Sequence, residues 1–463
     1  MTVKEYLASK RDAYVKDLAS LVEIDSVRTA AAPGMPFGEG GAKALAAAED
    51  LLASHGYAAK NYGNYAVEAD LGPAPSLMLL AHLDVVPVGD GWTKPPFALT
   101  VEDNLLYGRG STDDKGPAVA CVYAMDACRA LYGEPKTGVR LVLGSGEETG
   151  SEDMEHYFSL RPTLEYTLSP DAEYPLINIE KGRFAPLFTK TAANEGAPRM
   201  VRFAGGVTQN IVPGKASAEV EGLSPEEVLP LAKAAEKDLG VRFTLTGIPG
   251  GCAVLCMGAT AHASTPEKGV NAQTALIRLL LSLPLAENET VETLRALSVL
   301  FPHGVTDGSP IGFDMKDHSG ALTLNFGVMS FENGAFSCGA DMRCPVCADG
   351  LDLAAMFAAA VGRYGFAPAG DTRHTKAHCV PAESPLVQAC LSEYERCTGQ
   401  KGECVAIGGG TYVHEIEGGV AFGVEFPGRD YRIHGADEYA DLDEMLLTAE
   451  MYAGVIRRLC YGE

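Results

Sequence analysis

The chain has 463 residues, 46% of them apolar and 21% charged, with a formal net charge of −24 at pH 7. That length carries core for two or three domains at roughly 150 residues each, and the composition excludes disordered and collagen-like chains. The acidic balance argues against general nucleic-acid binding, which draws on positive charge to release counterions from phosphates. No uncharged apolar run approaches the ~20 residues of a membrane span.

In chain order, residues 1–25 predict an amphipathic helix with Leu7, Tyr14, Leu18 and Leu21 on one side. The polar opening has no secretory-signal pattern, and the twelve cysteines do not form the framework of a small secreted domain. A cytoplasmic location with reduced thiols is expected. An alanine-rich helix follows at 42–54. Apolar runs at 77–81, 139–143 and 166–168 read as buried parallel strands, with a helix over 117–131 between the first two.

From 183 to 375 the texture changes. Strand-like alternation marks 216–220 and 322–326, and helices are expected at 225–239, 272–283 and 351–364. A stretch rich in Gly, Pro, His and Lys covers 365–385. Beyond it come a helix at 386–399, a strand at 419–423 and a last helix from Asp441. The expected fold class is α/β. Residues 1–182 and 376–463 form one domain with a mixed, mostly parallel sheet flanked by helices, and 183–375 form an inserted α+β domain. The one CxxC, Cys344-Pro-Val-Cys347, lacks the second pair of a zinc ribbon and reads as buried small hydrophobes.

Polar residues fall where the strands end. The run 77–81 leads into His82-Leu-Asp84, 139–143 into Gly144-Ser-Gly-Glu147-Glu148, and 166–168 into Ser169-Pro-Asp171. Open α/β sheets bind ligands at the carboxyl ends of their strands. Nitrogen and oxygen donors of this kind suit Zn²⁺, Mn²⁺ or Co²⁺. The carboxylate of Asp84 could hydrogen-bond the His82 ring and fix its tautomer. Asp113 and Asp114, in a glycine-rich turn, either join the site or cap the helix behind them. Of the adjacent Glu147 and Glu148, one could hold a metal while the other serves as general base for its water; a solvated loop is the alternative. Gly144-Ser-Gly146-Glu-Glu-Thr-Gly150 is not a dinucleotide fingerprint: its spacing is one residue too long, and carboxylates stand where pyrophosphate would sit.

Taken together, His82-Leu-Asp-Val-Val-Pro87, Gly91-Trp92, Gly108-Arg-Gly-Ser-Thr-Asp113-Asp114-Lys-Gly-Pro117, Glu147-Glu148-Thr, Ser169-Pro-Asp171-Ala-Glu-Tyr-Pro175, Gly408-Gly-Gly-Thr-Tyr412 and Arg432-Ile-His434-Gly-Ala-Asp-Glu438 resemble the ordered motif series of the aminoacylase–carnosinase family of co-catalytic zinc peptidases. The longer strings are most similar to its peptidase V-type dipeptidases. The resemblance implies a zinc-exopeptidase-type catalytic domain with an inserted lid. It implies two divalent metals, Zn²⁺ foremost and Mn²⁺ or Co²⁺ as alternatives. His82 and Asp171 would hold one, Glu148 and His434 the other, and Asp113 would bridge them. Asp84 would orient His82, and Glu147 would be the general base for a hydroxide shared by the metals. The peptide bond after Asp113 would be cis.

In the insert, Gly258-Ala-Thr-Ala-His262-Ala-Ser-Thr-Pro266 resembles the family's lid motif, so His262 would stabilise the oxyanion. Asn210 and Arg343 match substrate-holding positions, with Arg343 suited to a terminal carboxylate, and Gly410 and Thr411 could add donors to it. An insert of this length, about twice the lid of dimeric relatives, implies a monomer with His262 acting in its own chain. The implied reaction is hydrolysis of dipeptides or short peptides with free amine and carboxylate; an N-acyl-amino-acid deacylase is the alternative on the same scaffold. The partner is a small peptide, with neither nucleic acid nor membrane. His374, His378 and His414 have no role in this reading.

Overall fold

Two helices stand where one is expected at the start of the chain. Thr2 and Glu5 form a capping box on Val3–Ala8, and Arg11–Val22 follows. Between them the Ser9 hydroxyl donates to the Tyr6 carbonyl, a local bond that competes with helix continuation. Leu7, Tyr14, Leu18 and Leu21 are all buried. The computed structural model describes residues 1–462. It divides into one unit of Met1–Ile179, His378–Ala406 and Gly410–Glu463, and a second of Glu180–Ala377 with Ile407–Gly409. The sequence-based boundaries lie two to three residues inside the insert from these.

The first unit is built on a mixed sheet. Its strand order is Lys60–Asn61, Ala66–Leu71, Gly138–Gly144, Pro75–His82, Tyr166–Ser169, Gly419–Ala421, Ile177–Glu180 and His378–Cys379. The four strands from Gly138–Gly144 to Gly419–Ala421 are parallel, and antiparallel strands flank them. Every residue of Gly138–Gly144 is buried, as are the last six of Pro75–His82. Continuous apolar burial of this kind marks parallel strands covered on both faces. The helix Lys115–Tyr132 is buried along its whole length from Lys115 to Cys128. It packs against Leu442–Ile456, itself buried at most positions. A helix apolar all round is a core helix.

The second unit has an eight-stranded antiparallel sheet. Its order is Arg242–Ile248, Gly251–Met257, Lys215–Glu221, Arg199–Gly205, Thr323–Glu332, Ala335–Cys344, Gly182–Thr191 and Ala367–Thr375. Its own apolar cluster gathers residues from Pro225–Leu239, Ala272–Leu280, Glu289–Leu300 and Leu353–Gly362. The stretch 365–385, expected to be irregular, contains the edge strand Ala367–Thr375. Pro368 is tolerated there because an edge strand has a free side that needs no donor. Among the described residues no helix is long and apolar enough to cross a membrane.

Candidate metal centre

Three adjacent parallel strands deliver acids and a histidine to one sheet edge. His82 ends Pro75–His82; Glu147 and Glu148 follow Gly138–Gly144; Asp171 follows Tyr166–Ser169. Asp113 enters from the turn before Lys115–Tyr132, and the Asp113–Asp114 peptide is cis. His434 comes from the loop before the final helix, where Arg432, His434 and Asp437 all have positive φ. Residues other than glycine adopt this conformation only where the surroundings enforce it.

Asp113 stands between the two histidines. Its Oδ1 lies 3.0 Å from His82 Nε2, and its Oδ2 lies 2.9 Å from His434 Nε2. Asp171 Oδ2 is 3.7 Å from His82 Nε2, and Glu148 Oε1 is 3.1 Å from His434 Nε2. The donors thus form two triads that share Asp113: His82, Asp113, Asp171 and Asp113, Glu148, His434. His82 Nδ1 donates to the main-chain carbonyl of Asp84 at 3.0 Å, which leaves the Nε2 lone pair aimed into the cluster. His82 Nε2 and Asp113 Oδ1 are buried without a hydrogen-bond partner among the described residues. Orphaned polar atoms in a core are costly unless something satisfies them, and a cation fits this pair.

The electrostatics agree. Hydrogen bonds to Asp113 and Glu148 push the His434 ring up to about 11. Burial opposes charge on His82, yet Asp113, Asp171 and Asp84 raise it well above the usual histidine value. Burial lifts the carboxyls of Glu147, Glu148 and Asp171. Carboxylates clustered around two histidines, which they hold toward the charged form, make a site that favours positive charge.

The surrounding contacts show what the sequence reading missed. Asp84 was expected to orient His82 through its carboxylate. The ring instead meets the Asp84 carbonyl, while the carboxylate accepts the N–H groups of Glu147 (3.2 Å) and Glu148 (3.1 Å). A ring-to-carboxylate distance of 3.4 Å leaves that link secondary. Glu438 is fully buried and accepts the N–H groups of Gly110, Thr112 and Asp113 at 3.0–3.2 Å, together with Arg109 Nη1 at 2.6 Å. Asp437 holds the N–H groups of Thr93 and Lys94. The His434 loop is therefore tied to the Asp113 turn by Glu438 and to the Thr93–Lys94 segment by Asp437. Asp153 accepts Ser145 N–H and the Tyr412 hydroxyl, and the Tyr412 ring stands edge-on to His82 at 6.1 Å. Gly144 is required: a Cβ there would lie 2.2 Å from the Tyr412 hydroxyl. The strings holding Tyr412 and Glu438 were legible, but not which of their residues pack on the site.

Gly410 and Thr411 belong to the same unit as the two donor triads; Gly410 is exposed, and Thr411 caps the turn Tyr412–Glu415 by accepting Val413 N–H. His378 Nε2 bonds the Gly419 carbonyl, and its ring lies 6.3 Å from that of His414. Asn210, His262 and Arg343 belong to the other unit. There the chain around Asn210 pairs with that around His262: Ala263 N–H donates to Asn210 O, and Val212 N–H to Ala261 O. His262 is exposed, and its Nδ1 lies 2.6 Å from Ser264 Oγ and 3.2 Å from Ser264 N. Arg343 is held by Asp341 Oδ1 at 2.7 Å and donates to Gly408 O at 2.6 Å. Cys344 is buried and Cys347 exposed, both as free thiols.

Residues 78–458 match the sequence profile of peptidase family M20/M25/M40. The chain is 32% identical over 473 residues to the Beta-Ala-Xaa dipeptidase of Lactobacillus delbrueckii subsp. lactis, with 100% of this chain and 99% of that protein covered. It is 33% identical over 459 residues to YtjP of Bacillus subtilis (strain 168), which carries a dipeptidase name, with 97% and 98% covered. Among solved structures it is similar to human carnosine dipeptidase 1, with a TM-score of 0.55, 17% identity and 98% of both chains covered. The aminoacylhistidine dipeptidase of Vibrio alginolyticus gives a TM-score of 0.57 at 14% identity over 96% of both chains. These structural likenesses concern the fold.

Proposed function

The chain belongs to peptidase family M20/M25/M40, and from that premise we propose that it is a metal-dependent dipeptidase. Its substrates are dipeptides or short peptides with a free amine and a free carboxylate. The observation that carries this reading is Asp113, whose two carboxylate oxygens each face one histidine of a separate donor triad. His82 and Asp171 would hold one cation, Glu148 and His434 the other, and Asp113 both. Two bound divalent cations, with Zn²⁺ the first choice, supply Lewis acidity that acidifies water and polarises the scissile carbonyl.

The remaining chemistry falls to side chains. Glu147 takes a proton from the attacking water and returns it to the leaving amine. Burial raises its carboxyl above the ordinary glutamate range, and cations held by the neighbouring ligands would favour its charged, proton-accepting form. Asp84 fixes the backbone on which Glu147 and Glu148 stand. On the insert, His262 is the proposed oxyanion donor. Asn210 and Arg343 are the proposed substrate-holding groups, with Gly410 and Thr411 as further donors. The length of the insert supports His262 acting within its own chain, and a monomer is the proposed active species.

The test is hydrolysis of Ala-X and β-Ala-X dipeptides against N-acetyl amino acids, before and after chelation. Dipeptide cleavage abolished by chelator and restored by Zn²⁺ or Mn²⁺ is the expected result. Cleavage indifferent to chelation, or confined to N-acetyl amino acids, would overturn the proposal.

A further inference from the structure

The turn that carries Glu147 and Glu148 is short: its own backbone closes it through Thr149 N–H to Gly146 O at 3.3 Å, Gly150 N–H to Glu147 O at 3.2 Å and Ser151 N–H to Gly146 O at 2.8 Å. It is one 3₁₀ turn, Glu147–Thr149, and such turns have weak hydrogen-bond geometry. Asp84 secures its first two N–H groups. Its far end runs into Gly150 (φ +108°) and Ser151 (φ +61°), two successive residues in left-handed backbone. The helix Glu152–Leu160 then starts without a side-chain cap from Ser151. For Ser151 that conformation is uncommon and needs outside support.

Arg28 supplies a bond on each side of this bend. Its Nη1 donates to Thr149 Oγ1 at 2.9 Å and to the Thr149 carbonyl at 3.4 Å, and its Nη2 donates to Glu152 Oε2 at 2.8 Å. Thr149 precedes the left-handed pair and Glu152 follows it. The guanidinium lies 5.1 Å from the centre of the Phe37 ring. Phe37 is buried and fills the space beside Gly146, where a Cβ would come within 3.0 Å of Phe37 Cζ. Thr29 N–H bonds the Phe37 carbonyl, so the clip and its floor belong to one folded loop. A planar fork with several fixed donors can hold two acceptors at once, which a single ammonium does less well.

We infer that Arg28 is a positioning residue for the proposed general base: it clamps the Gly150–Ser151 bend and thereby holds the Glu147–Glu148 turn in place. The role assigned to that turn rests on the function proposed above; the clamp itself rests on the contacts just given. The test uses the full-length protein and the variants Arg28→Ala and Arg28→Lys. In the metal-free protein, amide hydrogen exchange over residues 146–154 should accelerate about tenfold in Arg28→Ala, with exchange of the core strands unchanged. In the Mn²⁺-loaded protein, kcat for an Ala-X dipeptide should fall about tenfold while KM stays within about twofold, as misplacement of a reacting group implies. Added guanidinium ion should restore part of the kcat of Arg28→Ala, and Arg28→Lys should lie between the two. Unchanged exchange over 146–154 in Arg28→Ala would overturn the inference, as would a loss seen in KM alone. If the wild-type protein cleaves no dipeptide with either metal, the proposed function fails, and the exchange measurement still decides the clamp.

Discussion

Glu438→Gln isolates the buried carboxylate that joins the His434 loop to the Asp113 turn. The substitution keeps the side-chain volume, so no cavity opens, and the effect is electrostatic. Glu438 and Arg109 are each about 1% exposed and meet at 2.6 Å. Burial pushes the Glu438 carboxyl up, against the pull of Arg109 and of the Gly110 and Thr112 N–H groups. Removing one partner of a buried pair costs about 3–5 kcal/mol, because the other charge stays desolvated and alone. The three N–H groups also lose an anionic acceptor, and the new amide turns its NH₂ toward donors. We expect urea unfolding of the metal-free variant to show that loss. Mn²⁺ affinity by calorimetry should weaken about 10–100-fold, the usual cost of losing a group that orients a ligand. The charge-free double variant Arg109→Met/Glu438→Gln should recover part of the stability. A loss below about 1 kcal/mol, the value of an exposed pair, together with unchanged metal affinity, would refute the reasoning.

Glu147→Gln should retain the wild-type metal content by elemental analysis and lower dipeptide turnover by about 10² or more, as the loss of a general base implies; near-normal kcat would remove it from that role. His55, far along the chain from the centre, gives a pH test. Burial opposes its charge, but hydrogen bonds to Asp126 and Asp17 raise its pKa above the ordinary value. The folded state therefore prefers the protonated ring. Its contribution is complete below the unfolded-state value of about 6.5 and is lost as pH rises through the folded-state value. His55→Gln should cost more stability in urea at about pH 5.5 than at about pH 9; equal cost at both would show that the ring does not titrate with folding.

The parts of the centre that local pattern reveals are those delivered by buried parallel strands. Runs such as 77–81 and 139–143 are too continuously apolar to face water, so they must be interior. The first polar residues after them, His82 and the Glu147–Glu148 pair, must then stand at the sheet edge. Asp171 follows in the same way after 166–168, and the ordered strings from His82 to His434 add Asp113 and His434, which enter from a turn and a loop. Within the insert the pattern is weaker. Gly182–Thr191 escaped the sequence reading because it alternates buried and more exposed positions, and Ala335–Cys344 because its buried positions include Gly339, Asp341 and Arg343 and so form no continuous apolar run.

What the composition and pattern of the chain determined was which residue types gather at the strand ends and the cation chemistry they suit. Tertiary structure alone decided how they are held. It gave the Asp84 carboxylate to the backbone of the Glu147–Glu148 turn rather than to the His82 ring, and set Glu438 against the Asp113 N–H. Those contacts join residues far apart in sequence, and hydrogen bonds of that range follow from the packing of loops on a finished core, which no local periodicity encodes.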